Sequence, residues 1–204
     1  MTFSEKQTDL LVEIINIGIG RSANILNKMV KSRVRLYVPT VEVIHLSKIE
    51  SQINLIEGGR VSFVSMGFKG DFKGNAVLLF SSPDARKIVD LITDKNYEQL
   101  DMDQLRASVL NEVGNIVLNS LIGTLGSLLK CRFRYNIPKF LELESKEIIS
   151  SQNSGSEFVV IARTHFQIED HNIGGSFMLF FEVGSLDPFI GKLNEKLAEQ
   201  GDEI

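Results

Sequence analysis

Cysteine is nearly absent: Cys131 is the only one in 204 residues. That excludes an intramolecular disulfide, a cysteine-based zinc site and a Cys-x-x-Cys redox pair, and it fits a reducing, cytoplasmic setting. Histidine is also scarce. His45, His165 and His171 lack metal-ligand spacing, so the chain is expected to carry no metal of its own. No long run of lysine and arginine occurs and the net charge is −4, which sets nucleic acid aside as a partner, because phosphate backbones need a concentrated basic surface. No apolar run approaches the length of a membrane helix. The opening MTFSEKQTDLL has neither the basic flank nor the apolar stretch of a secretory signal. A protein without membrane insertion is expected. What is present suits a packed core: 43% hydrophobic and 24% charged residues.

The chain holds four prolines, and they fall into two matched pairs. Pro39 and Pro138 each close one copy of a sparse pattern, Ser/Asp-x3-Glu-x2-Asn-x22-Pro. The first copy is Asp9, Glu13, Asn16 and Pro39; the second is Ser108, Glu112, Asn115 and Pro138. Every interval is the same in both. With ordinary residue frequencies one such match arises by chance in about one chain in several hundred, and a matched pair far less often.

The elements around the pattern repeat as well. Ser4 and Gln7 read as a capping box opening a helix over about 5–17, with Leu10, Leu11, Ile14 and Ile15 as its buried stripe. Asp9, Glu13 and Asn16 then share an arc of roughly 60° on the solvent side. Gly18 and Gly20 are expected to bend the chain into a second, shorter helix, SANILNKMV. VRLYVPTVEVI reads as a strand with an edge or bulge at Pro39, and VSFVSMGF and GNAVLLF as two strands joined by KGDFKG. Ser82 and Pro83 supply a cap and first-turn proline for the helix DARKIVDLIT. The second unit opens with a helix over about 103–121, apolar at Val109, Leu110, Val113 and Val117. Strands FRYNIPKFLEL, EFVVIARTHF and GSFMLFFEV follow, and Asp187 and Pro188 restart a helix.

The polar stretch SSQNSGS at 150–156 lies inside the second unit, and no comparable hinge separates the copies. The expected architecture is therefore an α+β fold, one domain over 1–204 made of two αα-β-ββ repeats (about 1–100 and 101–204). The repeats share a mainly antiparallel sheet of about six strands with pseudo-twofold symmetry, and helices pack against it. Sharing a sheet buries edges that each unit alone would leave open.

Duplication explains some of the similarity, so what the copies retain is informative. Core positions keep only apolar character, as in Ile14 against Val113 and Ile17 against Ile116, and Gly18 and Gly20 are replaced by Val117 and Asn119. The Glu and Asn are identical in both copies although packing asks nothing of a solvent-facing position. That points to contact with a partner.

The pattern, together with NIGIGRSANIL after the first site and SVLNEVGNI around the second, resembles the CheC/CheX/FliY family of chemotaxis phosphatases over essentially the whole chain. Its two sites and the lack of room for a C-terminal flagellar switch domain resemble the two-site, stand-alone CheC branch. The resemblance implies hydrolysis of the aspartyl phosphate on a CheY-type receiver domain. Asn16 and Asn115 would orient the attacking water, and Glu13 and Glu112 would meet a lysine of the receiver. The regulator would bring its own divalent metal, Mg²⁺. Asp9 and Ser108 would be rim residues, and Pro39 and Pro138 structural ones. A carboxamide suits the positioning task because it both donates and accepts, and cannot be switched off by protonation near neutral pH. The family further implies a CheD-type receptor deamidase as a possible partner, and hence a binding adaptor as the alternative to an enzyme. LNSLIGTLGSLL, residues 118–129, could offer the docking face for it, core packing being the commoner fate of such a segment.

Three lookalikes fail on context. Gly18, Gly20 and Ala23 outline a dinucleotide fingerprint, with Glu42 near the distance for a ribose contact. The preceding DLLVEIINI, however, has helical rather than strand spacing. Ser108 has no histidine at a revealing interval, and Cys131, after Leu128 and Leu129, reads as a buried structural thiol.

Overall fold

The computed structural model describes residues 3–30, 33–49, 59–93, 101–144, 147, 158–168 and 170–201. Helix α1 (Glu5–Val30) leads into β1 (Val34–Tyr37) and β2 (Val41–His45), then the hairpin β3 (Arg60–Gly70) and β4 (Gly74–Ser81) and helix α2 (Ser82–Ile92). Helix α3 (Met102–Leu128) begins the second half. It continues through β5 (Phe133–Tyr135), β6 (Lys139–Glu144), the hairpin β7 (Phe158–Ile168) and β8 (His171–Phe181), and helix α4 (Leu186–Gly201). The stretch 150–156 lies outside the described residues.

All strand pairs are antiparallel, in the order β1-β7-β8-β4-β3-β5, with β2 also on β7 and β6 also on β3. Exchanging the halves leaves that order unchanged, so the pseudo-twofold runs between β4 and β8. Each half lends its proline-bearing strands to the hairpin of the other. The sheet is thereby shared rather than merely abutted, in an α+β architecture.

The prolines sit at matching bulges. Tyr37 pairs with His165 and Val41 with Ala162, so residues 38–40 face only 163–164. Tyr135 pairs with Phe68 and Lys139 with Ser65, so 136–138 face only 66–67. An extra residue leaves local backbone groups without ladder partners, and proline, which has no N–H to lose, is tolerated there.

One face of the sheet (Val64, Met66, Phe68, Leu78, Phe177, Leu179 and neighbours) packs against the buried stripes of α1, α2, α3 and α4. The opposite face forms a smaller cluster of Val61, Phe63, Val77, Leu79, Met178 and Phe180 with Ile49. Central strands buried on both faces are accordingly near-continuous apolar runs instead of strict alternations.

The expected break in α1 does not occur: the helix is continuous from Glu5 to Val30. Gly18 is used for close approach, because a Cβ there would lie 3.0 Å from the Leu121 Cα of α3 and 3.3 Å from Thr124 Cβ. Arg21 beside it donates to Thr124 Oγ1 at 3.1 Å. Gly20 faces open space. Helix α3 likewise runs on to Leu128, capped by Asp101 two residues before the expected start. The side chains of Leu118, Leu121, Ile122, Leu125 and Leu129 are buried in the core, so this segment packs inward rather than offering an apolar docking face. The cap of α2 is Ser81, whose Oγ accepts from the Asp84 amide at 3.2 Å, one residue ahead of the expected Ser82. The capping box at Ser4 and Gln7 is present, with reciprocal bonds of 2.8 and 3.3 Å.

Candidate functional site

Helices α1 and α3 hold the two copies of the motif. Their apolar stripes, Leu10, Leu11, Ile14 and Ile15 on one and Val109, Leu110, Val113 and Val117 on the other, are buried. Asp9, Glu13, Ser108 and Glu112 are exposed, while Asn16 and Asn115 are half-buried, one turn after each glutamate. The arc predicted for each helix is therefore tilted, with the glutamate in solvent and the asparagine against the body of the protein. Ile17, matched to Ile116 as a core position, is 38% exposed beside Asn16.

The environments of the two asparagines differ. At the first bulge, Asn16 Oδ1 accepts from the Val38 amide at 2.8 Å and Asn16 Nδ2 donates to the Val38 carbonyl at 2.9 Å. The carboxamide takes the place of a missing strand neighbour and satisfies both backbone groups left over by the bulge. This accounts for part of the spacing: Asn16 reaches the residue just before Pro39.

At the second bulge no such clamp exists among the described residues. Asn136 donates its backbone N–H to the Gly67 carbonyl at 2.9 Å, and Asn115 Oδ1 instead accepts from Asn119 Nδ2 at 2.6 Å. The exposure of the bulge is inverted too. Val38 is buried and Pro39 exposed in the first copy, whereas Ile137 is 86% exposed and Pro138 buried in the second. Asn119 Oδ1 and Asn111 Oδ1 are buried without a partner among the described residues. Asn119 and the Val38 backbone were missed by motif reading. An i, i+4 Asn–Asn pair on one helix face was the available signal for Asn119.

Apolar side chains flank both copies. Tyr37, next to Val38, is half exposed and stacks on His165 with ring centroids 5.1 Å apart. Tyr135 borders the second bulge and Ile137 lies within it, and both are likewise open to solvent. His45 is occupied locally, capping a 3-10 turn through the Ser47 amide and meeting Phe158 edge-on. Cys131 is buried, and desolvation, reinforced by the nearby Asp71 charge, pushes its thiol up to about 11, which leaves it protonated and unreactive at neutral pH.

No protein-family model matches the chain. It is 26% identical over 140 residues to the CheY-P phosphatase CheC of Bacillus subtilis (strain 168), a match covering 66% of each chain and so spanning just under two thirds of that relative. It superposes on Thermotoga maritima FliY with a TM-score of 0.76 at 20% identity, covering 96% of this chain and 100% of that one. In sequence and in fold the chain is similar to proteins of the CheC/CheX/FliY family. The CheC-like fold also matches a chain of the CheX-CheY-BeF3-Mg complex from Borrelia burgdorferi, with a TM-score of 0.51 at 18% identity and coverage of 84% and 99%. Among the described residues no helix is long and apolar enough to cross a membrane.

Proposed function

We propose that this CheC-like chain is a phosphatase acting on the aspartyl phosphate of a CheY-type receiver domain, with Glu13 and Asn16 forming one site and Glu112 and Asn115 the other. The observation that carries the reading is the pairing, on both long helices, of an exposed glutamate with an asparagine one turn later. Exposed Ile17 and Tyr37 flank the first pair, and Ile137 and Tyr135 lie at the bulge of the second. A receiver docking on such a face would meet a carboxylate, a carboxamide and an apolar rim.

Each group has a definite task. The glutamate pairs with a lysine of the receiver and sets the register of docking, where a partly desolvated ion pair contributes mainly specificity. The asparagine enters the receiver's site and holds a water in line with the phosphorus. A P–O bond forms from the water as the bond to the aspartyl oxygen breaks. The aspartate leaves with the electron pair, and the water's proton passes to the phosphate or solvent. Divalent metal on the receiver would neutralise the developing charge, so the chain itself contributes positioning. Asp9 and Ser108 remain rim residues, and Pro39 and Pro138 shape the bulges.

The test is phosphate release from a phosphorylated receiver with catalytic amounts of protein, with and without a CheD-type deamidase. Wild type should shorten the lifetime of the phosphorylated receiver, and the N16A/N115A double variant, folded by circular dichroism, should not. Full activity in that variant overturns the mechanism. A requirement for stoichiometric protein favours a binding adaptor instead.

A further inference from the structure

Away from both motif faces, an open cleft of about 510 Å³ is lined by Arg60, Ser82, Pro83, Arg86, Arg106 and Glu142. Three different elements deliver its arginines: the first residue of β3, the second turn of α2 and the second turn of α3. Their placement is firm. Ser82 Oγ donates to the Arg60 carbonyl at 3.0 Å and ties the start of β3 to the start of α2. Arg106 Nη1 donates to Glu142 Oε1 at 2.9 Å, with both side chains about four-fifths buried (20% and 22% exposed). Ser62 adds a second bond to the same carboxylate oxygen at 3.1 Å.

The charges do not balance. Burial alone would raise the Glu142 carboxyl, but the hydrogen bonds from Arg106 and Ser62 and the nearby charges of Arg106 and Arg60 outweigh it and hold the group below its ordinary range. Glu142 is therefore ionised and matches one arginine. Asp84, the acidic residue of the adjoining helix turn, is engaged with Lys87 at 3.1 Å and with Ser81. Among the described residues Arg86 has no hydrogen-bond or ion-pair partner, and none accepts a hydrogen bond from the Arg60 guanidinium. Among the described lining residues three guanidiniums stand against one carboxylate, with Glu144 paired in register with Arg60 on the neighbouring strand, so positive charge is in excess in a chain whose net charge is −4.

Nor does the cleft belong to the duplicated machinery. At corresponding positions of the other half, β7 begins with Phe158 where β3 begins with Arg60. Gly191 stands three residues after Pro188 as Arg86 does after Pro83. Gln7 precedes Asp9 as Arg106 precedes Ser108, and Val43 follows Pro39 as Glu142 follows Pro138. None of the four charged positions is shared.

We infer that this cleft is a binding site for a small polyphosphate anion, a free diphosphate or triphosphate group, gripped by Arg60 and Arg86 with Arg106 held ready by Glu142. Guanidinium forks match phosphate oxygens two at a time, and three of them offer more donors than a single phosphate can use. Among the described residues the lining offers Pro83 but no aromatic face for a base, so recognition rests on the phosphates.

Isothermal titration with pyrophosphate tests it, with inorganic phosphate and sulfate as comparisons. Pyrophosphate should bind with a dissociation constant below millimolar and more tightly than either comparison anion. R60Q and R86Q, both at exposed positions, should each weaken it roughly tenfold, and E142Q, which removes the competing carboxylate, should strengthen it. The N16A/N115A variant should bind as wild type does, which separates this site from the phosphatase reading. Absence of binding at millimolar pyrophosphate overturns the inference, as does affinity indifferent to R60Q and R86Q, or binding of an acidic peptide with none of pyrophosphate.

Discussion

Asn16 and Asn115 occupy equivalent places in a duplicated motif, yet one is bonded to backbone and the other to a side chain. Asn16 is a clamp, two hydrogen bonds deep on the Val38 peptide unit. Among the described residues the Asn115 side chain has one bond, to Asn119 on its own helix. To reach into a partner, Asn16 must give up two bonds and strand two backbone groups, whereas Asn115 gives up one. At about 0.5–1.5 kcal/mol net per bond, the difference is about 1 kcal/mol, or about fivefold in the fraction of asparagine free to engage. The same side chain is therefore used in two ways: the first copy supports the fold, and on the proposed function the second is freer to act.

The sharpest way to break this comparison is through the single variants. If both sites act as proposed, N115A should remove about five-sixths of the phosphatase activity and N16A about one-sixth, reading the fivefold difference directly. Their stabilities should rank the other way. N16A leaves the Val38 amide and carbonyl unpaired and should cost about 1–3 kcal/mol, or about 2–10 °C in Tm for a chain of this size, with N115A close to wild type by thermal melting. Equal activities and equal melting temperatures would abolish the distinction.

Glycines sharpen it next. Gly114, beside Asn115, packs so closely on β3 that a Cβ would sit 2.5 Å from Val64 Cγ1, so G114A should destabilise by about 1–3 kcal/mol. Gly20, in the first copy, has open space around it, and G20A should stabilise by about 0.5–1 kcal/mol. Chemical denaturation of both variants measures the contrast.

Asn119 offers a smaller effect. N119A removes the bond that Asn115 must give up to engage and should raise turnover about two- to tenfold, with little change in receiver affinity. An unchanged or lowered turnover would show that the Asn119 bond does not restrain Asn115.

The smallest expected effect is a pH dependence confined to the second half. The Glu142 carboxyl is held below its ordinary range in the folded state, so its contribution is complete above the usual glutamate pKa and is lost as pH falls through the lowered value. Wild type should therefore lose more stability than E142Q between neutral and acidic pH. Parallel curves would remove Glu142 from the account.

Much of this was legible in the residues. Glu and Asn repeated at fixed intervals located both helical faces, the apolar runs marked β3, β4, β7 and β8 as strands, and Pro39 marked an edge or bulge. The continuity of α1 was not legible, because a helical glycine that permits a bend and one that permits close packing look alike in sequence. Gly18 is the second kind only because Leu121 lies against it. The crossing of strands between halves was hidden as well, since β1 and β7 lie more than a hundred residues apart in the chain.

Sequence alone determined the duplication, the chemistry presented at each site and the apolar stripes that orient it, since these depend on residue identity and local periodicity. Only the tertiary structure decided which asparagine is tied down. That choice depends on whether a bulge held against the opposite half leaves a backbone N–H and C=O for the carboxamide to satisfy, and residue identities alone do not specify unpaired backbone groups.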